Sequence, residues 1–188
     1  MRPPRSMRAG LDDDRIIFKK LISKLKQAKY TIVYIDECSF NSSALPLYTW
    51  MKRGELPSKI IRDGFHRYNA IAAQWHDYVY FELKEEMSTE VYFAEFIRKV
   101  YKELKNTISK SQLSKRTVVV FDNARIHKTE RVRQTIKDYD LIVFTIPPYS
   151  PEMNRIEHTF GKLKKAISCR NLSGKNFLHV IKEEIARL

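Results

Sequence analysis

Apolar positions recur along the chain with two different periods. Near the start, Ile17, Phe18, Leu21, Ile22 and Leu25 follow Asp12, Asp13 and Asp14 at helical intervals. That spacing predicts an amphipathic helix whose first turn carries acids, where they complement the helix dipole. Residues 31–35 (TIVYI) form a continuous β-branched and aromatic run instead, which reads as a buried strand ending at Asp36. Pro46, Gly54, Pro57 and Gly64 then break the pattern into loops around a short strand at residues 47–52. Residues 67–74 and 78–83 read as two strands joined by a turn at His76 and Asp77. The helical period returns with Phe93, Phe96, Ile97, Val100, Tyr101 and Leu104, predicting a helix over 88–105 capped by Ser88 or Thr89. A second buried strand, residues 117–121 (TVVVF), ends at Asp122, and a helix over 126–137 and a strand over 141–146 follow. The loop PPYSP at 147–151 leads into a helix starting at Asn154, with Ile156, Phe160, Leu163 and Ile167 in one stripe. A final helix is expected over 175–186. Strands first, then helix and strand in alternation, predict an α/β fold: a mixed sheet flanked by helices.

Composition narrows the class. At 188 residues and 43% hydrophobic, the chain suits one domain with a full core. Cys38 and Cys169 are the only cysteines and stand 131 positions apart, so no disulfide framework or zinc ribbon is available, which suits a reducing compartment. No run of 18 apolar residues predicts a membrane span. Residues 1–10 are basic without an apolar stretch, so they read as a loose arm and not as a secretory signal. The net charge of +13 favours an anionic partner, nucleic acid ahead of a membrane surface, because no amphipathic anchor stands out.

Three acids carry candidate chemistry. Asp36 and Asp122 each end a buried strand, and Glu157 lies in the first turn of the helix after PPYSP. Ligand sites in open α/β sheets gather beyond the carboxyl ends of parallel strands, so adjacent parallel strands would bring the two aspartates together. Carboxylates without Cys or His partners suit a hard cation such as Mg²⁺. Two such ions, about 3.5–4 Å apart, can activate a water and stabilise the leaving oxygen of a phosphodiester. Structural readings stand beside this one. Asp36 can begin a turn, Asp122 can bond its own backbone, and Glu157 can form a capping box with Asn154.

Four segments resemble the catalytic domain of DDE transposases, in the mariner and bacterial insertion-sequence lineage: YIDE (34–37), TWMKRGE (49–55), VVVFDNARIH (118–127) and IPPYSPEMNRIEHTFGKLK (146–164). The likeness runs from residue 30 to 168, with 34 residues between Asp122 and Glu157. It implies a ribonuclease H-like fold over residues 31–188, preceded by a leading helix at 11–30 and the basic arm at 1–10. It further implies that Asp36, Asp122 and Glu157 bind two Mg²⁺ or Mn²⁺ ions, and that Glu152, earlier in the same segment, does not. The implied reaction has two stages at one site. An activated water cuts a phosphodiester at a transposon end, and the freed 3′-hydroxyl then attacks target DNA, commonly at a TA step. The partners implied are transposon-end and target DNA and a second copy of the chain. No Ser or Tyr nucleophile is needed, which leaves Ser39, Ser150 and Tyr149 to turns and packing.

Two departures stand out. Arg155 occupies a position that is usually Pro in similar proteins, so it either contacts phosphate or is solvated. Only 35 residues precede Asp36, too few for the helix-turn-helix region that reads terminal repeats in full-length relatives. A catalytic domain alone is therefore expected, as a truncated, split or domesticated product that binds DNA with little sequence preference.

Further candidates for nucleic-acid contact are Arg125, His127 and Lys128 after Asp122, Lys162, Lys164 and Lys165 after Glu157, and Arg170. The same spacing also suits a solvated helix face for the lysines, and a hydrogen bond within its loop for His127. Trp50 and Trp75 are expected to pack. Besides the transposase reading, a non-catalytic DNA-binding remnant and a ribonuclease H-like nuclease without strand transfer stay open. The expected location is the cytoplasm or nucleoid of a bacterium, or a eukaryotic nucleus.

Overall fold

The computed structural model describes residues 8–42, 53, 66–86, 88–109, 117–170 and 176–188. The expected strand at 47–52, Trp50 and residues 1–7 of the arm lie outside them. Five strands form one sheet: β1 (Ile32–Asn41), β2 (Arg67–Trp75), β3 (Tyr78–Lys84), β4 (Val118–Phe121) and β5 (Ile142–Thr145). Their order is β3-β2-β1-β4-β5. β2 runs antiparallel to both β1 and β3, whereas β1, β4 and β5 are mutually parallel. The mixed sheet expected from the pattern is present.

Both faces of the sheet are covered, which is why its parallel strands read as unbroken apolar runs. Val33, Ile35, Ile71, Ala73, Val119 and Phe121 pack on one side with Phe93, Phe96, Ile97, Val100 and Leu104 of α2 (Glu90–Thr107) and Val132 of α3 (Glu130–Asp138). Tyr34, Cys38, Ala70, Ala72, Val118 and Val120 pack on the other with α1 (Arg8–Gln27), α4 (Arg155–Ser168) and α5 (Phe177–Ile185). Phe93, Phe96 and Phe160 are sealed from solvent, and each burial contributes on the order of 2–3 kcal/mol. Thr89 caps α2 by accepting the Tyr92 N–H at 3.3 Å. Trp75 packs as expected, its Nε1 donating to Thr107 Oγ1 at 3.1 Å.

Several boundaries differ from the expectation. α1 begins at Arg8, so residues 8–10 belong to the helix and not to the arm, and the three aspartates fall in its second turn. Its inner stripe is Leu11, Phe18 and Ile22, supported by Leu25. Ile17 is 63% exposed, because a residue adjacent to Phe18 lies about 100° round the helix. β1 does not stop at Asp36. It continues to Asn41 because β2 offers an antiparallel partner from Tyr34 onward. The helix expected over 126–137 is two pieces, a 3-10 turn at Arg125–Lys128 and then α3. α4 is likewise preceded by a 3-10 turn, Pro151–Met153.

Candidate functional site: an acidic cleft beside β1 and β4

Strand register brings the first two acids together. Tyr34 pairs with Val120 in the parallel β1–β4 ladder, and two residues further along each chain stand Asp36 and Asp122. β4 ends at Phe121, so Asp36 marks the point where β1 loses this neighbour. Side chains two apart share a face, and Tyr34 and Val120 belong to the face covered by α1 and α4. α4 contributes Glu157 from its first turn. All three acids line one cleft of about 440 Å³, together with Glu37, Asn123, Asn154 and the loop from Ile146 to Pro151.

The electrostatics show that these carboxylates sense one another. Burial, followed by the negative charges of Glu157, Glu37 and Asp122, pushes the Asp36 carboxyl up to about 7, against the pull of the Glu37 N–H that it accepts at 2.8 Å. Among the described residues, no three Asp, Glu, His or Cys side chains close tightly enough to cage an ion as they stand. Asp122 is held by its own turn. Its Oδ1 accepts the Ala124 N–H at 2.9 Å and faces His127 Nδ1 at 3.0 Å.

His127 does not reach out to nucleic acid. It is 3% exposed, stacked on Phe93 with ring centroids 4.0 Å apart and set edge-on to Phe121. Its Nε2 lies 3.3 Å from Glu37 Oε1, so the ring bridges Glu37 and Asp122. Burial alone would lower its pKa, but hydrogen bonds with Asp122 and Glu37 lift it to about 9. The same His127 bond holds the Asp122 carboxyl below its ordinary value, outweighing burial.

Asn154 also takes a role that its spacing to Glu157 did not suggest. No capping box forms: the Asn154 side chain makes no cap bond, and the Glu157 N–H is held by the Asn154 main-chain oxygen at 3.2 Å. The side-chain Nδ2 donates instead to Asp36 Oδ2 at 2.9 Å. Asn154 is 2% exposed, and its Oδ1 has no partner. Glu157 is thus left exposed on the cleft wall.

The basic candidates divide. Arg125 and Lys128 are exposed on the turn after Asp122. Lys164 is exposed on α4 and does not line the cleft, but its positive charge opposes those of Asp36 and Glu157 at the Cys38 thiol. Lys162 and Lys165 are exposed on α4 and do not line the cleft. Arg155 turns away, pairing with Asp77 at 3.3 Å and lining a neighbouring groove with α1. Arg170 is engaged by Glu183 and Glu184 and is not free for phosphate. Glu152 pairs with Arg15 at 3.5 Å, outside the cleft. Cys38 is buried, which pushes its thiol up to about 12 and makes it inert. Sequence reasoning assigned no role to Glu37 or Arg15. The Asn154 signal was present in the spacing but pointed to the wrong bond.

Residues 31–178 match the family model described as DDE superfamily endonuclease. No curated protein matches the chain significantly. Among solved structures, the Mos1 transposase catalytic domain with Raltegravir and Mn aligns at a TM-score of 0.73 and 15% identity, covering 100% of this chain and 83% of that one. The Mos1 Strand Transfer Complex aligns at 0.75 and 17%, covering 100% and 56%. The Mos1 transposase paired-end complex with left transposon end aligns at 0.67 and 16%, covering 89% and 50%. The chain therefore spans about half of the transposase chain in that complex. These likenesses establish the fold, which is ribonuclease H-like as expected.

Proposed function

The chain belongs to the DDE superfamily endonuclease family, and we propose that its cleft cuts DNA phosphodiesters and joins the freed 3′ ends to target DNA as a transposase catalytic domain. The observation that carries this reading is the placing of Asp36 and Asp122 side by side where β4 ends, with Glu157 facing them from α4. Asp36, Asp122 and Glu157 would hold divalent cations, two Mg²⁺ or Mn²⁺. The donor set fits. It is all carboxylate at the cleft, and a hard cation that keeps several waters needs no closed protein cage. A cation would also offset the negative charges of Glu157, Glu37 and Asp122 that, after burial, raise Asp36. When bound, the cations supply Lewis-acid activation of the attacking hydroxyl and neutralise charge on the leaving oxygen.

The protein's part is positioning. Asn154 and the Glu37 N–H fix both oxygens of Asp36, and the Ala124 N–H and His127 fix Oδ1 of Asp122, leaving Oδ2 for the cleft. Lys164, Arg125 and Lys128 would hold phosphates leading into the cleft, as exposed cations do without reading sequence. The Mos1 relatives were solved with a transposon end and in strand transfer, and transposon-end and target DNA are the corresponding partners proposed here, with two copies of the chain working on paired ends.

The test is incubation with nicked or transposon-end duplex and Mn²⁺, beside the Asp122→Asn variant, with products resolved by size. Cleaved and joined products from the parent alone support the reading. Cleavage without joining indicates a nuclease only. Equal products from both proteins remove Asp122 from the mechanism.

A further inference from the structure

We propose that Arg15, on the leading helix, is a positioning residue for the acidic cleft; this rests on the metal-cleft reading above. Residue 15 lies outside the family-matched residues, which begin at 31. α1 is nonetheless packed on the site's supporting layer, with Phe18 and Ile22 in one cluster with Met153 and Ile156. From that helix, Arg15 Nε donates to Ser150 Oγ at 2.8 Å and its Nη2 donates to the Tyr149 carbonyl at 2.7 Å. Glu152 Oε1 lies 3.5 Å from Nε, and Asp12 accepts from Nη1 at 3.3 Å. A planar guanidinium can hold a hydroxyl and a carbonyl together, which an ammonium cannot do with fixed geometry.

The turn that Arg15 grips needs holding. Tyr149 has a φ of 54°, in the left-handed region that a bulky residue rarely adopts. Ser150 is 2% exposed, and its hydroxyl also donates to the Pro148 carbonyl at 3.0 Å. From there the bonds run directly to the site. The Ser150 carbonyl accepts the Met153 N–H at 3.0 Å, the Pro151 carbonyl accepts the Asn154 N–H at 2.9 Å, and Asn154 Nδ2 reaches Asp36. Arg15 therefore sets the turn that aims Asn154 at Asp36 and starts α4 with Glu157.

Hydrogen exchange of the metal-free protein and Mn²⁺ titration test this with Arg15→Gln, Ser150→Ala, the double variant and Lys20→Gln, an exposed control on the same helix. Expected are about tenfold faster exchange at the Met153 and Asn154 amides in both single variants. Mn²⁺ affinity should weaken about tenfold. The double variant should cost less than the sum of the two singles, because both changes break the Arg15–Ser150 bond. Unchanged exchange at both amides in Arg15→Gln and Ser150→Ala overturns the proposal, as does an equal effect of Lys20→Gln. Should Arg15→Gln fail to fold, Arg15→Lys, which keeps the charge and loses the planar fork, decides in its place, with unchanged exchange at both amides again overturning the proposal. If the parent binds no Mn²⁺, the metal reading fails and the positioning role with it, whereas faster exchange would still establish the grip itself.

Discussion

Asn154 and Asp36, 118 positions apart in sequence, are joined by a side-chain hydrogen bond of 2.9 Å from Nδ2 to Oδ2. The bond ties the start of α4, which carries Glu157, to the strand that carries the first acid. Because Asn154 is buried with its Oδ1 unpartnered, Asn154→Ala removes an unsatisfied acceptor along with one useful donor. Stability should change by only about 1 kcal/mol, while DNA cleavage should slow by about 10- to 100-fold, as for other partners that orient metal ligands. Thermal denaturation beside single-turnover cleavage measures both. A large stability loss with unchanged cleavage would make the bond purely architectural.

Asp36 makes metal-free stability depend on pH in a direction opposite to that of most acids. Its folded value is raised from 3.8 to about 7, so its contribution to stability is present below pH 3.8 and is lost as the pH rises through about 7. In EDTA above pH 7, Asp36→Asn should therefore be more stable than the parent, by a few kcal/mol at most, since one pKa unit is about 1.4 kcal/mol. Adding Mg²⁺ should raise the Tm of the parent and not of the variant. Calorimetry at pH 5 and pH 8, with and without Mg²⁺, separates these outcomes.

His127 should titrate near pH 9 in the metal-free protein, not near its ordinary 6.5. A raised value means that its stabilisation is fully present below pH 6.5 and is lost as the pH rises through about 9. An NMR titration of the imidazole follows this directly, and Glu37→Gln should bring the value down by removing one of its two acidic partners. A value of 6.5 in the parent would mean that the Glu37–His127–Asp122 bridge does not form in solution.

Lys164 should matter for DNA in general and not for its sequence. Lys164→Ala should weaken binding to scrambled and transposon-end duplexes alike, and should reduce the slope of log K against log salt by about 0.9 if one phosphate contact is lost. Fluorescence anisotropy across a salt series measures it. A selective loss for one duplex would assign base readout to this face.

How far the sequence carried the structure differs by element. Asp36 and Asp122 were legible because strands buried on both faces are written as β-branched runs, and each run breaks at its acid. β1 continued past that break because its further half faces β2, a partner more than thirty positions away for residues such as Asp36 and Ala72. Tertiary pairing of that kind leaves no local pattern. Ile17 was misplaced because helix phase was judged from apolar content, whereas packing on Met153 and Ile156 selected Phe18 and Ile22. His127 was read as contacting substrate or bonding its loop, and the loop bond is what forms; nothing nearby in sequence announces that Phe93 from α2 will cover the ring. Arg15 is one of 35 basic side chains, and only the folded turn at Tyr149 distinguishes it.

Divalent-cation binding tests the central claim most directly. Mn²⁺ titration by calorimetry should show saturable binding to the parent, and affinity at least about 100-fold weaker in each of Asp36→Asn, Asp122→Asn and Glu157→Gln, because removing a ligand costs more than removing a partner that orients one. Parental affinity retained in any one of the three would contradict a shared site.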